Sequence, residues 1–246
     1  MRPIGERSLM ATARLAGVLN VLSAVPVGFY VTVLRNLVVR GDAAATATNI
    51  LRSEGLYRLG FVADLGALLV FIASGVLLYE IFKPASRRLA LLFLVLFVSA
   101  AFIQSLDCLQ SLAALTLLKG GPGLSGLPPA QASALAFMFL RLYAHTFQLA
   151  LFFGGASSVV MGFLVVRSTF MPRIIGPLMM IDGLGYLTFS LASFLSPPLA
   201  LHLFPYVPFI TAALGEGALM LWLIVKGVNT ERWREQATAM DRAASA

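Results

Sequence analysis

Residues 89–112 read LALLFLVLFVSAAFIQSLDCLQSL, a run that is mostly apolar and holds a single acid, Asp107. At 1.5 Å per residue, a helix of this length covers about 36 Å, more than the roughly 30 Å of a bilayer's hydrocarbon core. A carboxylate at the centre of such a helix costs roughly 2.5 to 3.5 kcal/mol to insert, so it needs a partner, a water-filled cavity or a function. The stretch therefore predicts a transmembrane helix with a candidate functional residue inside it.

The rest of the chain has the same character. Hydrophobic residues make up 59% of the 246 positions and charged residues 12%, against about 25% charged in ordinary soluble domains, which excludes a soluble globular protein. The apolar runs lie at about 15–34, 57–82, 89–112, 144–166, 174–195 and 206–226. We therefore predict an all-α fold: a polytopic transmembrane helical bundle of six spans, forming a single integral membrane domain over residues 1–246, with the lipid bilayer as its partner.

Two segments outside these runs predict extra helices. Residues 119–131 read KGGPGLSGLPPAQ, a turn, and the following stretch up to residue 166 would make about 55 Å of helix, too long for one span. We predict that residues 130–143 form a helical lead-in at the outer surface that runs on into span four. After span one, Asp42 and Gly55 fit the cap and the stop of a short surface helix; the alternative is a plain connector.

Basic residues indicate the topology. The net charge is +7, yet Lys and Arg lie at the ends of spans and not in one patch, so we expect no nucleic-acid partner. The turns FKPASRR at 82–88 and RSTFMPR at 167–173 are short and basic. About twice as many Lys and Arg fall on the side of the N-terminus as on the opposite side, which predicts that both termini are cytoplasmic. Trp222 and Trp233 are interpreted as anchors at the membrane interface.

Hairpin geometry groups some polar residues by depth. Residues equally far from a tight turn lie at the same height in antiparallel neighbours, which puts Asp64, Asp107, Arg141 and His145 in one layer. The two aspartates stand about 27 Å above the cytoplasmic ends of their helices, close to the outer interface. Water at that depth lowers the cost of charge.

The polar residues of this layer form two helical stripes, Arg141, His145 and Gln148 on the fourth span and Gln104, Asp107 and Ser111 on the third. The simplest interpretation is an ion-paired seam that fixes helix register. An outward-facing polar pocket is the functional alternative, with Arg141 receiving an anionic group of a small solute or lipid headgroup. A third interpretation is a metal-assisted hydrolase near the outer leaflet, using Asp64, Asp107 and His145. Because the chain has two histidines and no HExxH spacing, we assign no metal and no cofactor.

A deeper layer contains Asp182 and Glu216, about 12 and 15 Å from the cytoplasmic ends of spans five and six. Ser158 is the hairpin counterpart of Asp182, and Tyr186 lies at the level of Glu216. One interpretation is a pair of neutral acids that joins helices, supported by nearby small residues: Gly183, Gly185, Ala213, Gly215 and Gly217. The other is a proton or cation relay, with the two carboxyls sharing a proton.

Four segments support a family resemblance: RLAGVLNVLSAVP at 14–26, GDAAATATNILRSEGLYRLGFVADL at 41–65, LVVRSTFMPRIIGPLMMIDGLGYL at 164–187 and LGEGALMLWLIVKGVNTERW at 214–233. In their order the chain resembles the domain of unknown function 4386 family of bacterial multi-pass membrane proteins. The resemblance implies a bacterial plasma (inner) membrane and no assigned reaction, substrate or cofactor. The leading hypothesis is a protein without established catalysis that binds or passes a small solute or lipid headgroup; a structural or accessory subunit is a further alternative. The oligomeric state is left open.

Overall fold

The protein is helical throughout the part of the chain that its computed structural model describes, residues 6–121, 123, 126–204 and 206–245. In that part ten α-helices and no strands occur. The helices are α1 Glu6–Leu37, α2 Ala43–Arg52, α3 Glu54–Phe82, α4 Arg87–Lys119, α5 Pro129–Arg167, α6 Ile175–Leu195, α7 Pro197–Leu203, α8 Tyr206–Leu214, α9 Glu216–Val225 and α10 Thr230–Ser245. The predicted all-α fold is confirmed.

Six helical segments are long and apolar enough to cross a membrane, which confirms the predicted number of spans. They are Ser8–Leu37, Glu54–Phe82, Arg87–Lys119, Pro129–Arg167, Ile175–Leu195 and Tyr206–Val225. Many of their large apolar side chains are exposed, among them Leu69 at 72% and Leu195 at 81%. In water these surfaces would favour aggregation, whereas lipid tails solvate them at no cost.

The fourth span is one continuous helix of 39 residues, α5. It starts at a proline, as a first helical turn prefers, and the predicted lead-in over residues 130–143 is its first third. Of the turn before it, Pro122, Leu124 and Ser125 lie outside the described residues. Gly120 and Gly123 have positive φ values of 65° and 81°, the conformation that glycine adopts without strain.

The short helix after span one is present as α2. The side chain of Asp42 caps it by accepting a hydrogen bond from the backbone N–H of Ala45 at 2.8 Å. The predicted stop at Gly55 is wrong: α2 ends at Arg52, and Gly55 lies inside α3. The N–H of Ser53 already bonds back to the carbonyls of Asn49 and Ile50, so the helix ends without a glycine.

The chain separates into two compact units, each with its own core. Unit 1 contains Met1–Val21, Phe71–Ala100 and Gln148–Ala246. Its core is made of aliphatic, aromatic and methionine side chains, of which Leu78, Phe82, Met161, Leu164 and Leu223 are almost fully buried. A protein of two compact units is still compatible with a single domain, because α1, α3, α4 and α5 each contribute residues to both; the single domain stays a prediction.

Unit 2 contains Leu22–Val70 and Ala101–Phe147. Its core is more polar in kind, since three tyrosines, Tyr30, Tyr57 and Tyr143, lie at its centre among aliphatic residues. A buried tyrosine normally finds a hydrogen-bond partner for its hydroxyl. The core of unit 2 therefore contains three phenol hydroxyls that need hydrogen-bond partners.

The C-terminal helix α10 belongs to unit 1 and is fixed by Trp233. The indole Nε1 of Trp233 donates a hydrogen bond of 2.7 Å to the carbonyl of Ile81, and the side chain is only 7% exposed. The interpretation of Trp233 as an interface anchor is therefore wrong. Sequence patterns did not predict α10, because a short polar helix carries neither the length nor the hydropathy of a span.

The turn at 167–173 also holds α10. The carbonyl oxygen of the Gln236 side chain accepts a hydrogen bond from the N–H of Thr169 at 2.9 Å, and the Gln236 amide donates to the carbonyl of Arg167 at 3.1 Å. The backbone N–H of Asn229 donates to the carbonyl of Phe170 at 3.1 Å. The turn at 167–173, which the sequence predicts only as a basic connection between spans, thus also binds α10.

Candidate functional site

The four intramembrane acids fall into two groups, one in each unit. The aspartate cluster, defined here as Asp64, Gln104, Asp107 and Cys108, lies in unit 2. The deep acid pair, Asp182 and Glu216, lies in unit 1.

The aspartate cluster is built by α3 and α4. Gln104, Asp107 and Cys108 follow each other at i, i+3 and i+4, so α4 presents them on one face. From α3, Asp64 receives hydrogen bonds from the Gln104 amide at 3.4 Å and from the Cys108 thiol at 3.9 Å. Gln104 and Asp107 thus lie on one face of α4, as the sequence predicts, and this face meets Asp64 of α3.

Asp107 is the exceptional member of this cluster. Its side chain is fully buried, and neither carboxyl oxygen has a hydrogen-bond partner among the described residues. It lies close enough to Asp64 for the two carboxyls to interact electrostatically. The salt bridges of Glu54 and Glu80 do not involve these aspartates. Buried acids without partners are rare because each lost hydrogen bond is costly, so Asp107 calls for a ligand or a proton.

Three tyrosines pack together near the cluster, and two of them bond to Ser111. The hydroxyl of Tyr30 donates to Ser111 Oγ at 2.6 Å, and that of Tyr57 donates to the Ser111 carbonyl at 2.9 Å. Tyr30 packs edge-on against Tyr57 and Tyr143, with ring centroids 6.1 and 5.8 Å apart. Tyr143 in turn interacts electrostatically with Asp107 and Asp64. The carboxyls therefore have the aromatic residue Tyr143 as a neighbour.

The predicted pairing of Asp107 with Arg141 is wrong. Arg141 and His145 are exposed on α5, and Asp107 has no described hydrogen-bond partner. Depth counting from turns fixes the height of a residue but not its direction around the helix axis. At 100° per residue, Tyr143 lies on nearly the opposite side of α5 from Arg141, and Tyr143 is the residue that faces the acids. Gln148, also predicted for this site, falls in unit 1 and is partly buried.

The deep acid pair is built by α6 and α9. Asp182 is fully buried, and neither of its carboxyl oxygens has a hydrogen bond of normal geometry within the described residues. The hydroxyl of Ser158 lies beside it without reaching that geometry. Glu216, in the first turn of α9, and Tyr186 both interact electrostatically with Asp182. All four residues predicted for this layer are thus brought together.

Glycines bring backbones against this pair. A Cβ added to Gly183 would lie 2.4 Å from the carbonyl oxygen of Gly155, and one added to Gly215 would lie 2.5 Å from the Cβ of Asp182. The predicted close approach is found at Gly183, Gly185 and Gly215. It is not found at Gly217, whose nearest neighbour would be at an ordinary 3.7 Å.

The sixth span is irregular at one residue beside the acid pair. Helix α8 ends at Leu214 and α9 begins at Glu216, with Gly215 between them at φ −86° and ψ −71°. Helical hydrogen bonds continue through this residue, since the Gly215 N–H donates to the Thr211 carbonyl at 2.9 Å and the Gly215 carbonyl accepts from the N–H of Leu219 at 3.0 Å. The sequence marked Gly215 as a contact residue but did not predict the irregularity.

A metal centre is not supported by the side chains present. Over the described residues, no group of three His, Cys, Asp or Glu side chains lies close enough to hold a metal ion. His145, the imidazole of the metal hypothesis, is exposed on α5. We therefore derive no metal-assisted step for the chain.

Comparison with known proteins places these features in a family. The model of the family described as "Domain of unknown function (DUF4386)" matches residues 15–227. The chain belongs to the DUF4386 family. All four intramembrane acids lie within the matched range, whereas α10 begins after it. No curated protein and no solved structure matches the chain. Membership in DUF4386 agrees with a membrane protein of six apolar helices and assigns no reaction.

Proposed function

We propose that this DUF4386 protein binds a small cationic solute of the ammonium type at the aspartate cluster of unit 2. The observation that supports it is Asp107, a fully buried carboxyl without a described hydrogen-bond partner, close to a second carboxyl in a membrane-spanning segment. Two neighbouring acids without a described cationic side chain attract positive charge. Arg141 is exposed on α5 and therefore supplies no positive charge to this cluster.

The neighbours of the carboxyls favour an organic cation over a bare metal ion. Tyrosine rings attract a cation through their faces, by about 0.5 to 2 kcal/mol per contact. Tyr143 interacts electrostatically with both carboxyls, and its ring packs against that of Tyr30. Ligand oxygens for a metal are fewer, since Asp64 already accepts from Gln104 and Cys108.

Binding requires an opening of unit 2, because the described state is closed. Asp64 is 1% exposed and Asp107 is fully buried, so a solute reaches them only when α3, α4 and α5 separate locally. A neighbouring polar group is also incompletely satisfied: Gln110 donates to Thr146 at 2.8 Å, while its own buried carbonyl oxygen has no described partner. Incomplete hydrogen bonding makes the closed state less stable and lowers the free energy of opening.

The test is ammonium binding to purified protein in lipid nanodiscs. We expect tetramethylammonium to bind and to raise the melting temperature, and phosphate to do neither. In Asp107→Asn the affinity should fall at least tenfold, about 1.4 kcal/mol. The matched control is Asp42→Asn, which removes one exposed negative charge in the same unit and keeps a good helix cap.

The same experiment separates a free solute from a lipid headgroup. In discs of phosphatidylcholine, a headgroup ligand would compete with tetramethylammonium, whereas in discs of phosphatidylglycerol it would not. Equal binding in both discs identifies a free amine. Absence of ammonium binding in both discs, or binding that Asp107→Asn leaves unchanged, refutes the proposed function.

We also propose that the protein resides in the bacterial plasma membrane with both termini in the cytoplasm. The basic turns at 82–88 and 167–173, on the same side as the N-terminus, support this orientation. Reporter fusions within 84–86 and after residue 245 should both be active only with a reporter that works in the cytoplasm. A periplasmic result at either site would reverse the assignment.

A further inference from the structure

We propose that Asp182 and Glu216 form a buried proton-binding site in unit 1, in which the two carboxyls hold one exchangeable proton between them. This site is separate from the aspartate cluster and does not depend on the proposed ammonium binding. Its role differs from simply joining helices. Acids that join helices do so through hydrogen bonds, and Asp182 has none of normal geometry among the described residues.

The first argument is the surroundings of Asp182. In the described residues the titratable groups that interact with it are Glu216 from α9 and Tyr186 from α6, while α5 contributes the hydroxyl of Ser158. Both titratable neighbours are neutral or negative, so neither can balance an Asp182 carboxylate. Two adjacent carboxylates in a medium of low dielectric repel each other strongly, and one proton between them removes most of this repulsion.

The second argument is space. The backbone at Gly215 lies so close that an added Cβ would be 2.5 Å from the Cβ of Asp182 and 2.7 Å from the carbonyl oxygen of Leu178. These neighbours are backbone atoms and the base of a side chain, which cannot swing aside. A wall of this kind favours the smallest cation, the proton, over a hydrated metal ion or an organic ammonium.

The third argument is access. Gly215, the residue between α8 and α9, lies directly beside the pair, so a small change in its backbone alters the exposure of Glu216, which is already partly exposed. On α6, Asp182, Tyr186 and Ser190 are spaced i, i+4 and i+8 and share one face. Ser190 Oγ is buried and lacks a described hydrogen-bond partner. The face thus offers hydroxyl groups along which a proton from solvent can reach Asp182.

The experiment is infrared difference spectroscopy of the full chain in lipid nanodiscs near neutral pH. A carboxylic acid and a carboxylate absorb in separate regions, and the acid band shifts in D₂O. Subtraction of the double variant Asp182→Asn/Glu216→Gln from the natural chain should reveal one lost carboxylic acid and one lost carboxylate. The matched control, Asp42→Asn/Glu231→Gln, changes exposed acids and should show two lost carboxylates.

Other spectra overturn the proposal. Two lost carboxylates mean that the pair is fully ionised, and two lost carboxylic acids mean two separate neutral acids without a shared proton. Asn is nearly isosteric with a protonated Asp, so Asp182→Asn should fold, and retained helicity by circular dichroism checks this. If it does not fold, the single variant Glu216→Gln replaces the double variant, and ¹³C-labelled aspartate separates the aspartate bands from the glutamate bands. One residue of the pair must then be found as the carboxylic acid and the other as the carboxylate. Refutation of the proton site leaves the proposal of ammonium binding at Asp107 unaffected. Refutation of ammonium binding likewise leaves the proton site unaffected.

Discussion

The aspartate cluster and the deep acid pair each bury an aspartate whose two oxygens lack a described hydrogen-bond partner, yet their walls differ. In unit 2 the neighbours are side chains: Gln104, Cys108 and the tyrosines around Ser111. In unit 1 the nearest wall is backbone, brought in by glycines. Side chains can change rotamer to admit a solute, whereas packed backbones cannot. The two proposals, an ammonium ligand in unit 2 and a proton in unit 1, follow from this difference between side-chain and backbone neighbours of the acids.

The largest expected effect tests the backbone wall of unit 1. In Gly155→Ala the new Cβ would lie 2.7 Å from the carbonyl oxygen of Gly183 and 2.9 Å from the Cβ of Tyr186. Forced separation of α5 and α6 should lower the free energy of unfolding by about 3 kcal/mol, measured as the loss of folded protein during heating. The adjacent Gly154→Ala is the control, since its Cβ meets nothing within 4 Å; it should be neutral or stabilising by about 1 kcal/mol. If Gly155→Ala and Gly154→Ala had the same free energy of unfolding, close backbone packing would not distinguish unit 1 from unit 2.

A smaller effect is expected from the corresponding change in unit 2. The Cβ in Gly60→Ala would lie 2.3 Å from the ring of Tyr30, a side chain that must then shift and lose its hydrogen bond to Ser111. We expect a destabilisation of about 1 to 2 kcal/mol, with the melting temperature above that of Gly155→Ala. If Gly60→Ala were the more damaging variant, the walls of unit 2 would be the rigid ones.

The hydrogen bonds of the tyrosines can be removed without a change in packing. Tyr57→Phe deletes the bond to the Ser111 carbonyl and should cost about 1 kcal/mol. Because unit 2 then opens more easily, ammonium binding should be kept or strengthened. Thermal melts and binding isotherms of the same preparation check both statements, and a loss of binding equal to that of Asp107→Asn would instead place the Tyr57 hydroxyl in the site.

The smallest effect concerns two serines on α6. Ser193→Ala removes a hydroxyl that donates to the Phe189 carbonyl at 2.8 Å and should cost about 0.5 to 1 kcal/mol. Ser190→Ala removes a buried hydroxyl without a described partner and should be neutral or slightly stabilising. Chemical denaturation of both variants decides between them; a clear loss in Ser190→Ala would show that its hydroxyl does have a partner, such as bound water.

Several elements of both sites could be predicted from the sequence. The apolar runs marked six spans because lipid requires long, uncharged helices, and the four acids stood out within them. The hairpin at 167–173 correctly set Ser158 beside Asp182, since tight turns preserve depth. The same reasoning could not choose Tyr143 over Arg141, because depth leaves the direction around the helix axis undetermined.

The sequence by itself determined that this is a six-span helical membrane protein with four costly acids, since hydropathy, span length and turn residues act locally along the chain. Only the tertiary structure decided which faces of the helices meet. It left Asp107 and Asp182 without described partners, packed Gly215 against Asp182 and buried the Trp233 side chain of α10 against Ile81. These outcomes depend on packing between residues far apart in sequence, and a single chain's local pattern carries no record of that packing.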